Sequence, residues 1–112
     1  LDGIIGYSIN GNPLGIAAQM IESINRLKTN TISLDTPSGI ELSRGIAYTP
    51  SVVSDATLTL ALPKAGLFKP EIKKRVKQLY LADIGVPLQL YKKLGVNIEI
   101  NPFEKSSIVR LY

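Results

Sequence analysis

The stretch Thr31–Gly39, T-I-S-L-D-T-P-S-G, decides how the rest of the chain is interpreted. Its first four residues form a short β-prone run that ends at a carboxylate, and a Pro-Ser-Gly turn follows at once. This order predicts a buried parallel strand, Thr31–Leu34. In open α/β sheets ligands bind outside the carboxyl ends of the strands, which makes Asp35 and Ser38 the first candidate functional residues. The alternative is structural, with Asp35 only accepting hydrogen bonds from turn amides.

Composition limits the chemistry that the chain can perform. Its 112 residues, 45% of them apolar, correspond to one domain or less, since domains typically have roughly 100–150 residues. Cys and His are both absent, which excludes disulfides, the usual zinc sites, His-based triads and Cys nucleophiles within this chain. There is neither an apolar run of about 20 residues nor a leader peptide, so we expect a soluble, cytoplasmic protein without a membrane span.

The charge balance is mildly basic. Thirteen Lys and Arg against nine Asp and Glu give a net charge of +4, which suits anionic ligands but is too small to indicate nucleic-acid binding. Part of this charge forms a basic segment, which is either a solvated surface or a rim that attracts phosphate. It contains Lys64, Lys69, Lys73, Lys74, Arg75 and Lys77.

A glycine-containing loop and a helix precede the central strand. Asp2 is predicted to end a strand, and the loop Gly3–Asn12 follows, with glycines that permit close approach of a ligand. Asn12 is a predicted N-cap for a helix over Pro13–Leu27. The amides at such a helix start can hold phosphate, although a plain strand–loop–helix connection is the alternative. The predicted apolar face, with Met20 as a core residue, consists of Leu14, Ala17, Met20, Ile21, Ile24 and Leu27.

The crossover and the downstream pattern predict an α/β fold. A strand, a helix and a strand of this size indicate a right-handed parallel crossover, with Asp2 and Asp35 at the same edge of adjacent strands. Lys64 either faces an anionic ligand or is a turn residue without a functional role. Asp83 is interpreted as fixing a turn. The further predictions are a loop at Ile40–Pro50, strands at Thr57–Leu62 and Gln78–Ala82, a helix or turn at Pro70–Lys77, a helix at Leu88–Leu94 and an edge strand within Val96–Tyr112, to which Ile98 and Ile100 contribute.

Four blocks resemble the NAD(P)H-hydrate epimerase family, whose domain is called YjeF-N. Asp35–Gly39 resembles its D-x-P-S-G motif, and Leu1–Ser8 resembles its D-A-L-x-G-x-G segment. Ser54–Leu67 is similar to A-D-x-T-x-T-x-x-x-x-K-x-G-L, and Leu81–Pro87 to V-A-D-I-G-I-P. The blocks occur in the family's order over nearly the whole chain. The resemblance implies a Rossmann-like, three-layer α/β/α fold with a mostly parallel sheet.

The resemblance also implies an activity and a site. The family interconverts the R and S forms of hydrated NADH and NADPH, abbreviated NADHX and NADPHX, so that a partner dehydratase can repair both. By position, Asp2 and Ser38 match its potassium ligands and Asp35 its substrate-contacting acid, which we expect to act as electrostatic stabiliser and catalytic base. A homodimer is expected. The matching substrate loop is Gly6, Tyr7, Ser8, Ile9, Asn10, Gly11 and Asn12.

The family domain has an N-terminal half, with an N-G-G-D-G-type loop, that nothing in residues 1–112 matches. We therefore interpret 1–112 as the C-terminal portion of a single YjeF-N-like domain; a half supplied as another segment is the alternative. Two other functions remain open. One is a non-catalytic scaffold or RNA-binding module, as in an mRNA-decapping relative, and the other a Rossmann-like nucleotide-binding domain of unassigned activity. The joint presence of Asp2, Asp35 and Ser38 favours the enzyme.

Overall fold

The computed structural model describes residues 1–98 and 101–112. Its strands are short and its longest helix lies near the start of the chain. The elements are α1 (Gly15–Leu27), β1 (Ile32–Leu34), β2 (Ile40–Glu41), β3 (Ile46–Ala47), β4 (Ala56–Leu60), a 3₁₀ helix (Ala65–Phe68), α2 (Pro70–Lys73), β5 (Leu79–Ala82), α3 (Leu88–Lys93) and β6 (Ile108–Arg110).

A four-stranded sheet in the order β1-β4-β5-β6 forms the centre of the fold. The pairs β1–β4 and β4–β5 are parallel, and β6 is antiparallel to β5. Asp2 forms a parallel bridge with Ser33 on the outer side of β1, so α1 is a crossover between parallel neighbours. The parallel crossover, the mostly parallel sheet and the edge strand near the end of the chain are therefore confirmed.

One face of the sheet carries the core. Leu79 of β5 packs in a cluster with residues from the two connections between parallel strands, β1 to β4 and β4 to β5. Ser33, Thr57 and Thr59 are buried on the same face, because paired and alternate residues share a side. The other members of the cluster are Ile40, Leu42, Leu67, Ile72 and Val76.

The opposite face of the sheet is largely uncovered. Ile32, Leu34 and Ile108 are 45%, 46% and 49% exposed. The strand pairing places all three on this side, which we call the open face. The predicted parallel strand at Thr31–Leu34 is confirmed, but its predicted burial holds for one face only. Thr31 and Ser33 are buried, whereas Ile32 and Leu34 point outward.

The first helix differs from its prediction. It begins at Gly15, not Pro13, and its N-cap is Leu14, which makes no side-chain cap. Asn12 instead accepts a hydrogen bond from the Thr49 amide at 3.1 Å. Met20 is 48% exposed and is not a core residue, and Leu14 and Leu27 are more exposed still. Ile21 is the one buried residue of α1.

The segment predicted as a loop at Ile40–Pro50 contains the antiparallel hairpin β2–β3. Glu41 fixes its turn by accepting hydrogen bonds from the amides of Ser43 at 2.8 Å and Arg44 at 2.9 Å. This hairpin segment also contacts the 3₁₀ helix, because a Cβ on Gly66 would lie 2.0 Å from the Leu42 carbonyl oxygen. Strands of two residues are too short to show a period in the sequence.

The remaining elements match the predictions with shorter bounds. The predicted helix or turn at Pro70–Lys77 ends as a helix at Lys73. Strands β4 and β5 and helix α3 fall at the expected places, within one or two residues. Ile98 lies outside β6, and Ile100 lies outside the described residues. No helix in the described ranges combines the length and apolar character needed to cross a membrane.

Candidate functional site

Asp2 and Ser38 meet in a buried polar cluster. The Asp2 side chain accepts hydrogen bonds from Ser38 Oγ at 2.6 Å, the Ser38 amide at 2.9 Å and Ser33 Oγ at 2.7 Å. All three residues are fully buried. The parallel bridge between Asp2 and Ser33 sets this contact, and the turn after β1 brings Ser38 back to it. The sequence-predicted pair is thus brought together by the structure.

The oxygens of this cluster suit a hard cation. Ser38 Oγ lies 3.4 Å from the carbonyl oxygen of Ile5 and accepts a hydrogen bond from the Ile5 amide at 2.9 Å. Carboxylate, hydroxyl and carbonyl oxygens therefore converge from two chain segments, and hard cations prefer such ligands. The described residues contain no group of three or more His, Cys, Asp or Glu placed to hold a metal. Asp2, Ser38 and the carbonyl of Ile5 are therefore the residues of this cluster that could hold a cation.

Asp35 lies at the carboxyl end of β1 in a left-handed conformation with φ of 62°. Its Oδ1 atom accepts hydrogen bonds from the Leu60 amide at 3.1 Å, Thr59 Oγ1 at 3.3 Å and Lys64 Nζ at 2.5 Å. Asp and Asn tolerate this backbone region better than most residues. The Leu60 amide belongs to the neighbouring strand β4, so among the described residues Asp35 is held by β4 and by Lys64, and not by amides of the Pro-Ser-Gly turn as the structural alternative assumed.

The two carboxylates occupy the same end of adjacent strands but have different partners. The Leu34 amide donates to the Asp2 carbonyl at 3.0 Å, and the Asp35 amide donates to the Leu58 carbonyl at 2.8 Å. The Asp2 side chain is fully buried, whereas the Asp35 side chain is 31% exposed. A ligand can therefore reach Asp35, while the Asp2 cluster supports the loop beside it.

The predicted substrate loop is tethered at both ends. Its start is held by the Ile5–Ser38 hydrogen bond and its end by Asn12, which accepts from the Thr49 amide. Tyr7 is exposed, and no heavy atom would come within 4 Å of a Cβ on Gly6 or Gly11. The residues between the tethers, Ser8, Ile9 and Asn10, are exposed or half-buried. The loop thus borders the polar cluster with room around it.

The contacts of Lys64 and Thr59 with Asp35 were not predicted from the sequence. These residues are far from Asp35 along the chain, and they meet it because β4 lies beside β1. The signal in the sequence was a lysine four residues after Leu60, the last residue of the strand that pairs with the Asp35 strand. Asp83 accepts from the Gly85 amide at 2.8 Å, which confirms its interpretation as a turn residue.

The basic segment is largely engaged within the protein. Lys74 pairs with Glu71 at 2.8 Å and Lys77 with Asp55 at 2.6 Å. Lys73 Nζ lies 4.7 Å from the centroid of the Tyr112 ring. These contacts favour a solvated surface over a rim that attracts phosphate.

Curated proteins similar to the chain carry names that refer to NAD(P)H hydrate. The chain is 38% identical over 111 residues to the NAD(P)H-hydrate epimerase of Dehalogenimonas lykanthroporepellens, covering 99% of this chain and 44% of the relative. The match to the corresponding epimerase of Truepera radiovictrix is 33% identical and covers 97% and 48%. The bifunctional NAD(P)H-hydrate repair enzyme Nnr of Moorella thermoacetica is 36% identical, covering 80% and 17%. The chain thus spans less than half of these relatives.

Comparison with solved structures supports the fold. The crystal structure of yeast YNL200c matches with a TM-score of 0.72 and 18% identity, covering 96% of this chain and 44% of the yeast chain. At this identity the likeness establishes the α/β architecture. The family model described as YjeF-related protein N-terminus matches residues 1–66, which include Asp2, Asp35, Ser38 and Lys64. The chain therefore belongs to the family of YjeF-related protein N-termini.

Proposed function

We propose that this chain is the C-terminal portion of an epimerase that interconverts the R and S forms of hydrated NADH and NADPH. The observation that carries the proposal is the Asp35 carboxylate, which is partly exposed and held through one oxygen at the carboxyl end of a parallel strand. Ligands of open α/β sheets bind at this edge. Relatives at 33% to 38% identity over nearly the whole chain carry the epimerase name.

The chemistry requires a fixed negative charge and a proton acceptor. Inversion at C6 of the hydrated nicotinamide ring can proceed by breaking the C–O bond, with the electron pair leaving on hydroxide. The cationic ring is stabilised by the nearby carboxylate of Asp35. Water then adds to the other face of the ring, and its proton passes through Asp35 to the released hydroxide. No atom or electron is gained or lost overall. General base catalysis of this kind typically raises the reaction rate by roughly 10²–10⁴-fold.

Asp35→Asn in the intact protein tests the assignment. Asparagine keeps the shape and tolerates the left-handed backbone, but it removes the charge and the proton acceptor. We expect epimerisation of purified R or S NADHX, followed by chromatography, to slow by about 10²–10⁴-fold. Asp83→Asn is the matched control, because Asp83 fixes an exposed turn. Epimerisation at the wild-type rate in Asp35→Asn would show that the assignment of Asp35 is wrong.

Potassium is the proposed cofactor, held by Asp2, Ser38 and the carbonyl of Ile5. When bound, it would supply positive charge and fix the substrate loop, whose first residue, Gly6, follows Ile5. Ligands that bind only the native state stabilise it. We expect KCl to raise the unfolding midpoint above that in LiCl at equal ionic strength, and lithium to weaken substrate affinity. Loss of both differences in Ser38→Ala, but not in Ser106→Ala, would support the site; equal behaviour of wild-type protein in both salts would contradict it.

The proposal includes partners and a location. The open face of Ile32, Leu34 and Ile108 offers an apolar surface for the remainder of the domain, N-terminal to Leu1. A dehydratase that consumes one epimer is the functional partner, and the Moorella relative is named a bifunctional repair enzyme. We further propose a homodimer in the cytoplasm. Sedimentation of the intact protein tests the dimer, and a monomer at micromolar concentration would contradict it.

A further inference from the structure

The hydrogen bonds to the Asp35 carboxylate are one-sided. Those that the described residues make all end on Oδ1, from the Leu60 amide, Thr59 Oγ1 and Lys64 Nζ. The lone pairs of Oδ2 are thereby kept for a ligand. A carboxylate held in this way has its free oxygen fixed in direction, because rotation would break three bonds at once.

Lys64 is the one charged group among these donors, and it is itself anchored. Its ammonium has three donors, of which one binds Asp35 Oδ1 at 2.5 Å and another binds the Leu60 carbonyl at 2.7 Å. These partners lie at the ends of β1 and β4, which are paired in the sheet. Lys64 therefore fixes the Asp35 side chain relative to both strand ends.

The burial of this ion pair distinguishes it from a surface pair. The side chains of Lys64 and Asp35 are 23% and 31% exposed, whereas those of Lys74 and Glu71 are 68% and 72% exposed. Exposed pairs are screened by water and contribute little. The Lys64–Asp35 pair is shielded on most sides while leaving one carboxylate oxygen available.

We propose that Lys64 is a positioning residue of the epimerase site, acting through Asp35. This inference rests on the function proposed above and extends it. Lys64 aims Oδ2 at the reacting carbon and balances the charge of the carboxylate when no cationic ring is present. Misplacement of a catalytic group by about 1 Å can cost about 10²-fold in rate, so an anchored lysine has a measurable effect without contacting the substrate.

The test compares Lys64 variants in the intact protein with R and S NADHX as substrates. We expect Lys64→Met to lower kcat by about 10–10²-fold, with KM changed by less than about threefold. Lys64→Arg should recover much of the rate, because a guanidinium can reach both oxygens. Lys74→Met is the matched control and should retain wild-type kinetics. Urea unfolding of every variant separates loss of rate from loss of fold, and Lys64→Gln replaces Lys64→Met if that variant is unfolded.

A double variant distinguishes positioning through Asp35 from an independent effect. If Lys64 acts through Asp35, then Asp35→Asn with Lys64→Met should be no slower than Asp35→Asn alone, within about twofold. Losses that multiply would overturn the inference, as would wild-type kcat in folded Lys64→Met. A slow Asp35→Asn together with a fast Lys64→Met overturns the positioning role alone. A fast Asp35→Asn overturns the role of Asp35 and this inference with it.

Discussion

Gly66→Ala is expected to destabilise the protein strongly through a single steric contact. A Cβ at this position would lie 2.0 Å from the Leu42 carbonyl oxygen, 2.7 Å from its carbonyl carbon and 2.9 Å from its Cα. Contacts of this kind below 3.0 Å are essentially never seen, so the backbone at Leu42 must retreat. Both Leu42 and the adjacent Leu67 belong to the buried core cluster, which leaves little room for that movement.

The magnitude follows from what must move. Overpacking a core typically costs about 1–3 kcal/mol, and we expect the upper end because backbone atoms, not a flexible side chain, are displaced. Urea unfolding of the intact protein gives the free energy of unfolding directly. Lys64 lies two residues before Gly66, so if the proposed function holds, the epimerisation rate should fall as well.

The control for this prediction is another glycine. A Cβ on Gly3 would have no heavy atom within 4 Å, and Gly3 has no positive φ, so Gly3→Ala should change the free energy of unfolding by less than about 1 kcal/mol. A Gly66→Ala variant that unfolds within about 0.5 kcal/mol of wild type would refute the reasoning. It would mean that the hairpin segment does not pack on the 3₁₀ helix as described.

Three further predictions concern charges and buried hydroxyls. Asp2→Asn should cost about 1.5–3 kcal/mol in urea unfolding, because hydrogen bonds to a charged group are lost, while exposed Asp83→Asn should cost less than about 0.5. Hydrogen bonding from Lys77, and then from the Thr31 amide, lowers the pKa of Asp55. Its stabilising effect is therefore present above about pH 4, the ordinary pKa of an aspartate, and lost as pH falls further. Asp55→Asn should make the urea midpoint fall less between pH 6 and pH 2 than it does in the wild type. Burial raises the pKa of Tyr112, whose hydroxyl donates to the Leu67 carbonyl; this stabilisation is present below pH 10 and lost above it, and Tyr112→Phe should remove that alkaline loss.

Much of the sheet could be predicted because its signals are local. Thr31–Leu34 and Thr57–Leu62 are β-prone runs followed by turn residues, and both positions hold parallel strands. The crossover rule then brings Asp2 to the Asp35 end of the sheet without further information. The convergence of Asp2 and Ser38 in one cluster follows from the same topology.

The features that could not be predicted depend on contacts distant in sequence. The apolar spacing in α1 shows a stripe, but it does not show whether a surface covers that stripe, and Met20 is half exposed. The Lys64–Asp35 pair spans 29 positions and requires the pairing of β4 with β1. The hairpin β2–β3 depends on Glu41, whose carboxylate binds turn amides that no periodic pattern reveals.

The open face affects the solution behaviour of the purified fragment. Ile32, Leu34 and Ile108 form an apolar surface on one side of the sheet. Removing such a surface from water is favourable, so other molecules tend to associate with it. Residues 1–112 produced as a recombinant fragment should bind an apolar dye and elute from a sizing column in assemblies that grow with concentration. If the remainder of the domain covers this side, as proposed, co-expression with it should give a monodisperse sample.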